Sequence, residues 1–133
     1  EAVVQAIARS DPEGFAAAQV HYHDPAIMSQ EEAREYGAIF RDEAKTRMFT
    51  RILRETLAAG AMRELRERLK AGPSLPPVRL LWARQDVMVP PSFGPRYQEL
   101  LPGAELVWFD DASHFLQVDA PEKTVEEIFR FDR

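Results

Sequence analysis

PVRLLWARQDVMVPPSFGPRYQELLPGAELVWFDDASHFLQVD, residues 77–119, is the stretch on which the fold turns. Val78 to Trp82 is a short apolar run with turn signals on both sides, the pattern of a buried strand. Arg84, Gln85 and Asp86 follow it, then Val87 to Pro91. The spacing of Phe93, Tyr97, Leu100 and Leu101 predicts a helix over 92–101, with Gly103 as its stop. Glu105 to Phe109 is a second strand, and behind it lies a polar loop, Asp110 to Ser113, ending at His114. An acid and an imidazole therefore each stand just past the carboxyl end of a strand, joined by one helical crossover. A right-handed crossover makes the strands parallel and puts both carboxyl ends on one rim. That rim is where open α/β sheets place their ligands.

Outward from this stretch the chain is helical on its N-terminal side. Residues 1–9 carry Val3, Val4 and Ile7 on one face. Ser10 and Glu13 fit a capping box with Pro12 in the first turn, which starts a helix holding Phe15, Ala18 and Val20. His21-Tyr22-His23-Asp24-Pro25 breaks it, since a residue before proline disfavours helix. Ser29 with Glu32 is a second capping box, for a helix with Ala33, Tyr36, Ile39 and Phe40 near one face. From 43 to 59 the residues Met48, Phe49, Ile52, Leu53, Thr56 and Leu57 form a wide stripe at helical spacing, closed by Gly60. Met62, Leu65 and Leu69 mark a further amphipathic helix, its Arg/Glu-rich run 63–70 read as a solvated face. Residues 71–77, AGPSLPP, are a rigid linker and the clearest internal boundary. At the far end Asp119 is the expected N-cap of a last helix from Pro121, with Val125, Ile128 and Phe129 packing back on the sheet.

The wording around the acid and the histidine resembles the C-terminal part of an α/β-hydrolase. In that family the order along the chain is nucleophile, acid, histidine. The acid follows a strand in a pattern like W-G-x-x-D, apolar, P; here it is LLWARQDVMVP, with Ala83 where glycine is usual. The histidine loop here is ASHFLQVDAPE, wording most similar to the dehalogenase and epoxide-hydrolase branch. The resemblance implies an α/β class: a partial α/β-hydrolase fold, with a helical cap or lid segment over 1–73 and the last two parallel strands of the core, with flanking helices, over 74–133. It implies Asp86 and His114 as the acid and base of a triad acting on a small, mostly apolar substrate, with no cofactor or metal.

The chemistry of that pair is intelligible without the family. Imidazole, with an unperturbed pKa of about 6.5, exchanges protons near neutral pH. A carboxylate accepting the Nδ1 proton fixes the tautomer and stabilises the imidazolium. Taken singly, Asp86 reads as a turn cap and His114 as a surface histidine before the last helix; the two together favour the paired reading. Asp110 or Asp111 is the alternative partner for the imidazole. No nucleophile is legible: Ser10, Ser29, Ser74, Ser92 and Ser113 stand in ARSDP, IMSQE, GPSLP, PPSFG and DASHF, none of them G-x-S-x-G. The chain by itself is therefore expected to be inactive, its nucleophile and oxyanion hole lying upstream. A start at Glu1 rather than Met, and fewer strands than a stable parallel sheet contains, point the same way, to the C-terminal piece of a longer protein.

Composition narrows the field of function. The chain has 133 residues, 45% of them hydrophobic, the profile of one globular domain. A net charge of -5 argues against a nucleic-acid footprint, which needs clustered Lys and Arg. No apolar stretch approaches bilayer length, and the N-terminal segment lacks the basic-then-apolar pattern of a secretory signal. With no cysteine there is no disulfide or thiolate site, and a cytoplasmic home is the default. His21, His23 and Asp24 resemble the start of a metal site but lack a partner cluster, and read as a solvated turn. The glycines form no nucleotide-binding pattern. A two-stranded sheet leaves an open edge and an uncovered apolar face, so a homo-oligomer or segment swap is expected, through 78–82 or the 48–57 helix. Three alternatives stay open: a dehalogenase or epoxide hydrolase with an aspartate nucleophile, a non-catalytic hydrolase-fold binding protein, and an unrelated interaction domain.

Overall fold

The computed structural model describes residues 2–72 and 74–131. Glu1, at the head of the first expected helix, and Pro73, at the expected domain boundary, lie outside the described residues. The chain divides into two compact units, one of residues up to 20 plus 26–67 and one of 21–25 plus 68 onward.

The first unit is all helix: α1 (Ala2–Ser10), α2 (Pro12–Gln19), a 3-10 turn (Pro25–Ile27) whose first residue belongs to the second unit, α3 (Gln30–Arg41), α4 (Glu43–Thr56) and α5 (Ala59–Lys70), whose last residues also belong to the second unit. The cap of α2 is Asp11 and not Ser10: the Asp11 carboxylate accepts the Gly14 N–H at 3.0 Å, while the Ser10 hydroxyl donates back to the Ile7 carbonyl within α1. Pro12 sits at the first helical position and so makes its predecessor the cap. Ser29 caps α3 as expected, accepting the Glu32 N–H at 3.0 Å. Gly60 lies inside α5 rather than ending α4, which stops at Thr56 with Leu57 as its C-cap.

The core of this unit is not the apolar stripe of α4. Ala8, Ala16 and Phe40 are buried together, with Phe15 and Phe49 against them. The Phe40 ring stands edge-on to both Phe15 and Phe49, with centroids 4.9 and 5.0 Å away, a favoured aromatic geometry. On α4 the buried residues are Thr46 and Thr50, whereas Met48 is 57% exposed and Ile52 53%. Each threonine hydroxyl bonds back to its own helix, Thr46 to the Asp42 carbonyl at 2.8 Å and Thr50 to the Thr46 carbonyl at 3.1 Å. That satisfies the polar atom and lets the face turn inward. Gly37 lets α2 and α3 approach closely, for a Cβ there would lie 3.1 Å from the Glu13 backbone.

The second unit is built on β1 (Arg79–Ala83) and β2 (Glu105–Phe109), paired in parallel from Arg79 opposite Glu105 to Ala83 opposite Phe109. Between them runs α6 (Phe93–Leu100), and after them α7 (Leu116–Asp119) and α8 (Pro121–Phe131). Strand β1 starts one residue later than the apolar run, at a charged residue. The Arg79 guanidinium is neutralised there by Glu105 and by Glu127, the latter at 3.2 Å. Ala83, Phe109 and Ala112 form the buried core, with Leu81, Val107, Leu116 and Ala120 packed on it. The expected packing of α8 through Val125, Ile128 and Phe129 does not occur: Phe129 is 65% exposed, and α8 buries Thr124 and Glu127 instead. Glu127 can be buried because it bonds Arg79 and Arg130, the latter at 2.9 Å. Asp119 ends α7 and does not cap α8.

Candidate active site

The carboxyl ends of β1 and β2 lie side by side, and the loops that leave them are bonded to each other. Arg84 N–H donates to the Phe109 carbonyl at 2.8 Å and Gln85 N–H to the Ala112 carbonyl at 3.3 Å. The Gln85 side-chain amide donates to the Asp110 carbonyl at 2.9 Å, and the Ser113 hydroxyl to the Gln85 carbonyl at 3.1 Å. Arg84 adds an ion pair to Asp110 at 2.6 Å and lies over the Trp108 ring, 4.3 Å from its centroid. The two loops are thus one hydrogen-bonded body, and what each carries is held in register with the other.

Asp86 and His114 are what they carry. Asp86 Oδ2 lies 2.9 Å from His114 Nδ1. Its other oxygen, Oδ1, accepts the N–H groups of Met88 and Val89, each at 2.8 Å. The Asp86 side chain is 10% exposed and that of His114 32%. Burial pushes the Asp86 carboxyl pKa up, but the Val89 N–H, the His114 ring and the Met88 N–H together outweigh it, and the group is held below the usual carboxylate range. Asp86 is therefore an anion at neutral pH, with one lone-pair face spent on the backbone and the other on the imidazole. A carboxylate is acceptor-only, so the ring must donate from Nδ1. That leaves Nε2 as the nitrogen that can take or give a proton, on a ring one-third open to solvent.

Asp110, the alternative partner for the imidazole, is turned to Arg84 instead. Asp111 is exposed. His23 contributes its backbone N–H to Asp119 at 2.9 Å, and Tyr22 is buried with its ring edge-on to Phe115 at 5.5 Å. Among the described residues no three His, Asp or Glu side chains gather as a metal site. Ser113, the serine beside His114, is buried with its hydroxyl committed to the Gln85 carbonyl. Three contributors to the site were not readable from the sequence as such: the Gln85–Ser113 tie, the Phe115 ring edge-on to His114 at 5.3 Å, and Asp119, whose Oδ2 accepts the Ser113 N–H at 2.8 Å. Asp119 stands 96 positions from His23, a pairing no local pattern announces.

A parallel β-α-β unit with an acid past the first strand and a histidine past the second, preceded by helices, is the C-terminal part of the α/β-hydrolase fold. Solved structures agree. The chain is similar to 2-hydroxy-6-oxo-6-phenylhexa-2,4-dienoate hydrolase from Rhodococcus sp. strain RHA1, with a TM-score of 0.72 and 22% identity over 95% of this chain and 46% of that one. It is also similar to a membrane phospholipase A described as a bacterial virulence factor, with a TM-score of 0.66 and 18% identity over 96% of this chain and 39% of that one. The chain thus spans less than half the length of these two structures. No protein-family model matches the sequence, and no curated protein sequence is significantly similar to it. Among the described residues no helix is long and apolar enough to cross a membrane.

Proposed function

We propose that this chain is the acid- and histidine-bearing part of a hydrolase whose nucleophile lies in residues outside it. The observation that carries the reading is the 2.9 Å contact between Asp86 Oδ2 and His114 Nδ1 at the common rim of two parallel strands. In this reading His114 Nε2 takes the proton of a nucleophile hydroxyl as it attacks the substrate, and a covalent intermediate forms. The same nitrogen then hands the proton to the leaving group and activates the water that releases the product. Asp86 holds the ring by Nδ1 and stabilises the imidazolium as it appears. The helical unit serves as cap, and the substrate is small and mostly apolar. The neighbouring structures support the hydrolase part of this reading, since one is a phenylhexadienoate hydrolase and the other a phospholipase A.

One observation favours a second reading. The wording HFLQVDAPE at 114–122 is similar to the dehalogenase and epoxide-hydrolase branch, in which the nucleophile is an aspartate. His114 would then activate only the water of the second step.

The test is made in the longer protein that contains this segment, assayed on ester and haloalkane panels. His114→Ala and Asp86→Ala each lower kcat by roughly a thousandfold or more, while the protein stays folded. Product burst with esters supports a serine and with haloalkanes an aspartate. Activity unaffected by His114→Ala overturns the proposal, and a folded longer protein without turnover on either panel favours a binding role.

A further inference from the structure

Asp119 makes two contacts that its own short helix does not require. One carboxylate oxygen accepts the N–H of Ser113 at 2.8 Å; the other accepts the N–H of His23 at 2.9 Å. Ser113 is the residue before His114. His23 belongs to the five-residue segment, 21–25, that the chain contributes to this unit between α2 and α3. The neighbour of His23, Tyr22, presents its ring edge-on to Phe115 at 5.5 Å, and Phe115 in turn stands edge-on to the His114 ring at 5.3 Å.

We propose that Asp119 is a positioning residue for His114. It pins the backbone immediately before the imidazole and, through its second oxygen, the segment whose Tyr22 ring backs Phe115 behind that imidazole. The inference rests on the reading of Asp86 and His114 as a proton-exchanging pair. Asp86 fixes the ring at one atom only, Nδ1, and a single hydrogen bond leaves the ring free to pivot about that contact. A second constraint must act on the loop itself. The Ser113 hydroxyl ties the loop to Gln85 on the acid side. Asp119 ties it independently, to α7 and to 21–25. Both Asp119 bonds are charge-assisted, the stronger class of protein hydrogen bond. Asp119 acts through the backbone of Ser113 and His23.

Nuclear magnetic resonance on the isotopically labelled chain tests this. In the wild type the Ser113 and His23 amides exchange slowly with solvent, and His114 is protonated at Nδ1. In Asp119→Ala both amides exchange roughly tenfold faster or more, the effect of losing a charge-assisted hydrogen bond. The His114 Nδ1 proton signal is lost as the ring drifts toward the tautomer mixture of free imidazole. Asp119→Asn, which keeps one acceptor oxygen, protects one of the two amides and gives an intermediate ring signal. A purely structural role would move the amides and leave the tautomer, so an unchanged His114 signal in a folded Asp119→Ala chain overturns the inference while leaving the Asp86–His114 pair standing. Should Asp119→Ala not fold, Asp119→Asn decides by the same signals, and unprotected Ser113 and His23 amides in the wild type overturn it outright. A wild-type His114 with no Nδ1 preference, indifferent to Asp86→Asn, overturns the pair and this inference together.

Discussion

Replacing Asp86 by alanine removes three hydrogen bonds at once, and their geometry sets the size of the loss. Two are backbone N–H donors, from Met88 and Val89, both at 2.8 Å to Oδ1; the third is the imidazole at 2.9 Å to Oδ2. Hydrogen bonds to a charged group contribute about 1.5–3 kcal/mol each, but they do not add when the orphaned partners can reach water. Met88 is 45% exposed, so its amide can be hydrated after the carboxylate is gone; the Val89 amide is less open. We expect Asp86→Ala to cost about 2–4 kcal/mol in urea unfolding followed by circular dichroism, with a fall in Tm of roughly 10 °C. Asp86→Asn is the sharper probe. Its amide oxygen can keep both backbone donors, so it should cost only about 1 kcal/mol, while its NH2 faces His114 Nδ1 and inverts the ring's hydrogen bond. If both variants unfold within about 0.5 kcal/mol of the wild type, the carboxylate does not hold the loop and the reasoning is wrong.

The pH dependence follows from the same group. Because the Asp86 pKa is lowered on folding, the unfolded chain binds more protons below the ordinary carboxylate value of about 3.9. Its contribution to stability is present above that value and is lost as pH falls through the folded one; Asp86→Asn should flatten this acid limb of the urea midpoint against pH, and an unaltered limb would count against the cause named here. Phe109→Ala empties the centre of the second unit, where Phe109 is 1% exposed, and should cost about 3–5 kcal/mol in the same unfolding assay. Gly37→Ala forces a methyl against the Glu13 backbone at 3.1 Å and should lower stability by about 1–3 kcal/mol; a neutral result would mean that α2 and α3 can part without loss. Met48, Ile52, Leu53 and Leu57 leave an apolar stripe of α4 in the open, so the chain should self-associate with rising concentration in light scattering, and Ile52→Glu should reverse it; a monomer at every concentration argues against.

The parts of the fold that local pattern controls were legible in the sequence. The five residues Glu105–Phe109 form β2 with the bounds the apolar run suggests, Ser29 caps α3, and Asp86 and His114 come together because a short crossover leaves few ways to join two parallel strands. Polarity is a poor proxy for exposure in this chain. On α4 the buried face runs through Thr46 and Thr50, whose hydroxyls are satisfied by their own helix, and of the apolar stripe only Phe49 packs inward while Met48, Ile52, Leu53 and Leu57 face out. On α8 the buried carboxylate of Glu127 is bonded to Arg79 and Arg130, while Phe129 faces out. Arg79 opened β1 for the same reason. Asp119 shows the other limit. A carboxylate just before Pro121 has the local signature of a helix cap, and its partners, Ser113 and His23, are chosen by tertiary geometry.

An anionic Asp86 that holds His114 by Nδ1 leaves Nε2 for proton exchange. Ring nitrogen resonances of His114, recorded on the neutral ring in the wild type and in Asp86→Asn, measure this directly. The expected result is a proton on Nδ1 in the wild type and on Nε2 in the asparagine variant. The same tautomer mixture in both proteins would contradict it.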